Sequence, residues 1–298
     1  MSPRTVGLLV LGVVAVSFSA ILIRLTDAPP MTVALYRNAI AAAILVPVAL
    51  ARHGNEIRSL TRRQWGLAAL AGVFLAAHFA TWIPSLDYTT VAASTVLVTT
   101  QPLWVAAIAY LAFRERLGRA AMLGILVALA GTAIVSGGDV SLSGRAAIGD
   151  GLALLGAALA ACYFVIGRGL RQQISLLAYV SVCYTVCAIV LVPVVAASGQ
   201  PFLDVRWQDW GLLLLMALVP QILGHTVFNY LLGQVEATVI AIAVMGEPVG
   251  ASLLALAFFG ETPPWTAAAG GVLILAGVYV AITAQARRNR ATLPAPVE

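Results

Sequence analysis

Ten runs of roughly twenty mostly apolar residues, joined by short loops, constrain this chain more than any other feature. They cover approximately Val6–Leu25, Met31–Ala51, Gln64–Leu86, Thr90–Phe113, Ala120–Gly137, Gly149–Gly167, Ser175–Ser198, Asp209–Leu232, Val235–Phe259 and Trp265–Ala284. About twenty helical residues cross the hydrocarbon core of a bilayer. No water is available there, so each segment must satisfy its own backbone N–H and C=O groups, which selects helices over loops or open sheet edges. Only 10% of the residues are charged and 61% are hydrophobic, against about 25% charged in ordinary soluble domains. The expected class is therefore an all-α integral membrane protein with ten transmembrane helices and no room for a soluble catalytic domain. The first run is long enough to span and lacks a small-residue cleavage site after it, so it reads as the first helix rather than a signal peptide.

The net charge of +5 does not point to nucleic acid. All seventeen basic residues are arginines, and they alternate with the loops instead of clustering on a soluble domain. Arg4, then Arg52, Arg58, Arg62 and Arg63, then Arg114, Arg116 and Arg119, then Arg168 and Arg171, then Arg287, Arg288 and Arg290 fall on one side if ten helices are counted. The other side holds mainly Asp27, Asp87, Asp139, Asp150, Asp204, Asp209 and Glu261, with Arg145 and Arg206. Because short cytoplasmic loops are the arginine-rich ones, both termini are expected in the cytoplasm of a multi-pass protein of the plasma membrane, the bacterial inner membrane. Cys162, Cys183 and Cys187 lie in apolar runs without metal-ligand spacing, so they read as packing residues, and no metal or other cofactor is implied.

The chain also repeats itself. Thr100-Gln101-Pro102 and Gly246-Glu247-Pro248 stand 146 positions apart inside apolar runs, and each proline is followed thirteen residues later by a glutamate, Glu115 or Glu261. Gly124 and Gly131 match Gly270 and Gly277 at the same offset. Val46-Pro47-Val48 pairs with Val192-Pro193-Val194, and Trp65-Gly66-Leu67 with Trp210-Gly211-Leu212. Five helices is an odd number, so two tandem five-helix units enter the membrane in opposite senses. The expected organisation is a first repeat over 1–143 and a second over 144–298, the latter with a short basic cytoplasmic tail. Inverted repeats of this kind place a substrate site near the midplane, between the halves.

Polar residues inside apolar runs mark where that site would be, because an ionisable group in a bilayer is costly and faces protein or water. Glu247, in the middle of its run, is followed by Pro248, which removes a backbone donor and disturbs the preceding turn. Both are assigned to coupling or gating, together with Arg37, whose alternatives are to snorkel, to pair with a carboxylate or to bind an acid group of the solute. Gln221, His225 and Asn229 recur at i, i+4 and i+8 on one face of the eighth run, beside Tyr230. His78 and Trp82 occupy the related row on the third run, where a core stripe with one satisfied histidine is an equal alternative to a site role. Gln101 and Trp104 on the fourth run and Tyr163 on the sixth complete a substrate-binding set of aromatics and amides. Thr95 and Thr99 share a face of the fourth run, but threonines of this kind bond back to their own helix. The set suits a small, partly apolar solute and does not suit a large anion.

These features together resemble the EamA-type family of the drug/metabolite transporter superfamily over nearly the whole chain. The resemblance rests on the ten helices in two halves, on Tyr36-Arg37-Asn38, and on Gln101-Pro102-Leu103 leading to Arg114-Glu115-Arg116-Leu117-Gly118. It rests equally on Glu247-Pro248 leading to Gly260-Glu261, and on the glycine spacing. It implies secondary transport, most often export of amino acids, related metabolites or toxic small molecules, by alternating access around a cavity between the halves. One departure is that the seventh helix has no arginine equivalent to Arg37. The partners implied are a small-molecule solute, protons where transport is coupled, and the lipid bilayer.

Other classes fit less well. An importer differs only in thermodynamic direction. An intramembrane enzyme needs a nucleophile with a base or grouped metal ligands, and no pattern such as H-E-x-x-H is present. A channel needs a ring-forming filter motif. An ATP-binding loop of the G-x-x-x-x-G-K-[ST] type requires a lysine, and the chain has none.

Overall fold

The computed structural model describes residues 1–89, 94, 97–114, 117–135, 144–203, 205–260, 262 and 265–292. Thr95, Glu115, Arg116, Asp139, Asp204 and Glu261, named above, lie outside the described residues. Among the described residues every regular element is helical. In chain order they are α1 (Pro3–Leu25), α2 (Pro30–Ser59), α3 (Arg62–Tyr88), α4 (Gln101–Phe113), α5 (Arg119–Val135), α6 (Gly144–Arg171) and α7 (Leu176–Ser198). There follow α8 (Asp209–Leu232), α9 (Ala237–Val244), α10 (Glu247–Phe259) and α11 (Trp265–Thr292). Among the described residues eight helical stretches are long and apolar enough to cross a membrane, α9 and α10 counting as one, and α4 and α5 add two shorter apolar helices.

The helix starts follow local chemistry. Ser2, Thr61 and Ser175 each accept a backbone N–H of the first turn, and Thr61 with Gln64 closes a reciprocal capping box. Proline occupies the first turn of α1, α2, α4 and α10, where its missing N–H has no intrahelical partner to lose. Helix α2 runs beyond its apolar stretch to Ser59 and kinks at His53, whose φ of −132° and ψ of 19° leave helical space. Helix α11 likewise continues past Ala284, because its polar end still has helix-forming residues after the apolar run stops.

The break ahead of Pro248 is milder than the residue alone suggests. The chain tightens there, with Met245 N bonding Ile242 O and Gly246 N bonding Ala243 O at 3.1 and 3.0 Å, and then restarts as α10. Tightened bonds of this kind satisfy groups that a wider break would expose. Its counterpart α4 has the same 13 residues, the same proline in second position and a left-handed residue at its end, Arg114 with φ 57° where α10 has Gly260 with φ 67°.

Helix pairs assemble around one main core. α3 packs on α6 and α7, α1 on α8 and α10, α2 on α7 and α8, and α4 on α6 and α9. α5 and α11 form a separate close pair whose glycines let the backbones touch: a Cβ at Gly131 would stand 2.6 Å from Gly270 O, and one at Gly277 2.5 Å from Gly124 O. Phe228, Tyr163, Tyr179 and Tyr184 are the large side chains buried at the centre, which places hydroxyl groups inside an otherwise hydrocarbon interior.

Candidate polar site between the helices

Arg37 lies two turns into α2, yet its side chain does not reach for the interface; it is 4% exposed and turns inward. Its Nε donates to Gln221 Oε1 at 3.0 Å, and its guanidinium sits 4.8 Å from the ring centre of Phe79 on α3. Arginine only donates, so this bond fixes the Gln221 amide with oxygen toward Arg37 and nitrogen away. Arg37 Nη2 and Gln221 Nε2 are buried and lack a hydrogen-bond partner among the described residues.

Gln221 owes its position to an irregular stretch. Residues Ala217–His225 form a π-helix inside α8, and the next N–H, of Thr226, returns to Gln221 O five residues back. Pro220 lies in this stretch and lacks the N–H that a regular turn would use. The wider turn changes the spacing expected for a straight α-helix, but Gln221, His225 and Asn229 still converge on one buried cluster.

Asn229 Nδ2 donates to Tyr163 Oη at 2.6 Å and to Tyr184 Oη at 3.1 Å. Thr226 Oγ1 gives its one proton to Gln221 O at 3.3 Å, so the 3.0 Å contact between Tyr184 and Thr226 has the tyrosine donating. A directed chain therefore runs from Asn229 through Tyr184 and Thr226 to the backbone of Gln221. His225 faces Phe79 and Tyr163 at ring-centre distances of 6.4 and 6.5 Å, with its Nδ1 unpartnered among the described residues.

His78 is held by one backbone contact and one stacked ring. Its Nδ1 stands 2.9 Å from Gly156 O, which can only accept, so Nδ1 carries the proton. The ring lies parallel to Trp82 at 6.1 Å, and Trp82 in turn packs on Gly156. These two flank the cluster from α3.

Glu247 opens α10 half-buried, within electrostatic reach of Arg37, but no ion pair within 4.0 Å joins them among the described residues. Ser17 Oγ lies 3.2 Å from Glu247 O and ties this helix start to α1, while Pro248 O accepts from Ser252 Oγ at 2.8 Å. Gln101 is buried at the start of α4, and Tyr230 is half-buried against the main core. Trp104 stands apart from the cluster: it is 40% exposed, with Nε1 donating to Thr100 Oγ1 at 3.3 Å. A cavity of about 270 Å³ lies elsewhere, against Leu50–Arg58 at the kinked end of α2.

Phe79, Tyr184 and Thr226 complete the cluster and were not singled out from sequence. Phe79 follows His78 directly, and Tyr184 is a polar residue within an apolar run, so each carried a signal that only a packing partner makes readable.

Both ends of the cluster are tied. At one, Arg171 Nε donates to Asn229 O at 3.1 Å and Arg168 Nη1 to Leu232 O at 2.9 Å, satisfying the last carbonyls of α8. Beside them Ser175 N donates to Glu56 Oε1 at 2.6 Å. At the other, Tyr36 Oη donates to Phe202 O at 3.0 Å and Met31 N to Gln200 Oε1 at 2.9 Å, while Arg206 bridges Asp27 and Asp209.

The model of one family, described as the EamA-like transporter family, matches residues 4–137 and again 147–283. The chain belongs to the EamA-like transporter family. Relatives agree: an uncharacterized transporter of Archaeoglobus fulgidus is 26% identical over 276 residues, 90% of this chain and 93% of that one. A probable amino-acid metabolite efflux pump of Salmonella typhimurium is 27% identical over 198 residues, 63% of this chain and 66% of that one. A solved crystal structure, 18% identical, superposes with a TM-score of 0.82 over 97% of this chain and 99% of the other, so the fold is shared. As an EamA-like protein the chain is a multi-pass membrane transporter of a small solute and not an enzyme.

Proposed function

We propose that this EamA-like chain is a secondary transporter that exports small metabolites, such as amino acids or related amphipathic solutes, by alternating access. In this reading it has ten transmembrane helices in two inverted five-helix repeats, 1–143 and 144–298, and sits in the bacterial inner membrane with both termini cytoplasmic. His78, Trp82, Gln101, Trp104, Tyr163, Gln221, His225, Asn229 and Tyr230 contact solute over the cycle, and Arg37, Glu247 and Pro248 couple or gate it.

The observation that carries the reading is the Arg37–Gln221–Asn229 cluster, a buried polar centre fed by helices of both halves and holding donors without a partner among the described residues. Such groups are costly in a membrane interior and are retained where a solute or ion passes. The glycine pair supports the inverted repeat. Gly124 abuts Gly277 and Gly131 abuts Gly270; shifting each number by 146 exchanges the two contacts, as a two-fold axis requires. Numbers rise along α5 as they fall along α11, so the two helices run antiparallel. The tandem family match over 4–137 and 147–283 and the efflux pump among the relatives point the same way.

The test is a solute screen with purified protein in liposomes under an imposed pH gradient. Accumulation of an amino acid or related solute above protein-free vesicles supports the reading. Solute-independent ion conductance in its place would indicate a channel.

A further inference from the structure

We propose that Arg37 and Gln221 form the carboxylate-reading end of the solute site, so that an ionised acid group on the solute is a requirement for transport. The inference rests on the transport reading above and adds which chemical group the centre selects.

A guanidinium with 4% exposure in a membrane interior needs compensation. Among the described residues what it has is one neutral amide oxygen at Nε and the face of Phe79. Neither carries a full negative charge. Glu247 contributes at a distance without an ion pair among the described residues. The cation is therefore positioned, half-satisfied and still in search of an anion.

The geometry says what kind of anion. Gln221 gives its oxygen to Arg37 and so keeps its Nε2 as a second buried donor on the residue bonded to the guanidinium, and Nε2 and Arg37 Nη2 both lack a partner among the described residues. Two buried donors on a hydrogen-bonded pair of residues, one of them charged, suit an ionised carboxylate, and a guanidinium is the side chain best shaped for that group. A single cation balances a monoanion and leaves a phosphate-like dianion undercompensated. One turn further along α8, His225 Nδ1 has no hydrogen-bond partner among the described residues and is flanked by Phe79 and Tyr163. Past it Asn229 Oδ1 is a buried acceptor without a partner among the described residues. Donors at one end, acceptors at the other and aromatic walls between them describe a solute with an acid group, an amino group and an apolar side chain.

The experiment uses full-length protein and two matched sets: phenylalanine, phenylalanine amide and phenethylamine, then leucine, leucine amide and isopentylamine. Binding is read from the shift in thermal unfolding in detergent and transport from counterflow in liposomes. The two acids are expected to bind and move, with their amides and amines weaker by about thirtyfold or more, the loss of one charge-assisted contact. Arg37→Gln should abolish the preference, and Arg37→Lys should restore part of it, because lysine keeps the charge without the fork. Gln221→Glu keeps the acceptor for Arg37 Nε and supplies an internal carboxylate. It should fold at least as well as wild type yet lose acid binding, which guards against a variant that merely misfolds. If amines or amides move as well as the acids, transport stands and this inference falls. Retained acid preference in Arg37→Gln or in Gln221→Glu also overturns it, and if no solute of the panel binds or moves, both readings fall.

Discussion

Arg37 Nε meets Gln221 Oε1 at 3.0 Å although 184 positions separate the two residues, so a single hydrogen bond joins α2 to the irregular stretch of α8. Removing the acceptor leaves a buried cation with one more unpaired donor. Gln221→Leu is expected to cost about 1.5–3 kcal/mol of stability, the range for hydrogen bonds to charged groups. Thermal unfolding of the purified protein measures it, and an unchanged midpoint would show that the contact carries no weight in the fold.

The glycine contact between α5 and α11 is a backbone-to-backbone approach, so even a methyl group has nowhere to go. Gly131→Ala should destabilise by about 1–3 kcal/mol, since its Cβ would lie 2.6 Å from Gly270 O and 2.7 Å from Ile274 N. Gly7→Ala, with nothing within 4 Å, is the control and should stay within about 0.5 kcal/mol of wild type. Equal midpoints for the two variants would contradict the close approach.

His225 and Phe228 are neighbours on α8 with different duties. His225 is half-buried, its Nδ1 without a partner among the described residues, whereas Phe228 is fully buried against Gly12. His225→Ala should depress transport by about tenfold while keeping a near-normal unfolding temperature, because a site-facing ring is not part of the close-packed core. Phe228→Ala should instead lose about 3–5 kcal/mol of stability. Normal specific activity in a poorly folded His225→Ala protein would make the histidine a packing residue.

Topology is testable at two described positions, Arg58 in the last turn of α2 and Asp27 between α1 and α2. In a chain with Cys162, Cys183 and Cys187 replaced by alanine, Arg58→Cys should resist a membrane-impermeant thiol reagent in sealed cells, and Asp27→Cys should react. Strong labelling at position 58 from outside reverses the orientation and removes the charge argument for inverted halves.

Glu247 is a carboxylate half-buried at the start of α10, with Arg37 the charged side chain whose field reaches it. Glutamine preserves its shape and hydrogen bonding but cannot exchange a proton. Glu247→Gln is expected to fold and bind solute while losing the dependence of transport on an imposed pH gradient. Gradient dependence equal to wild type in liposomes would deny it the coupling role.

The sequence by itself determined the class of fold, because ten apolar runs in a bilayer leave helices as the only way to satisfy the backbone. It also located the eighth run to the residue, Asp209–Leu232, and marked Gln221, His225, Asn229, Tyr163 and Arg37, since a polar residue in hydrocarbon stands out without any partner being known. Pairing was beyond its reach. Whether Arg37 snorkels or turns inward depends on Gln221 and Phe79, which arrive from distant helices, and the π-turn that presents Gln221 is a register choice made by packing around Pro220. The same holds for the roles of Tyr184 and Thr226. A hydroxyl in an apolar run is a local fact, but the direction in which it donates is set by the neighbour that can only accept, and only the tertiary structure brings that neighbour within reach.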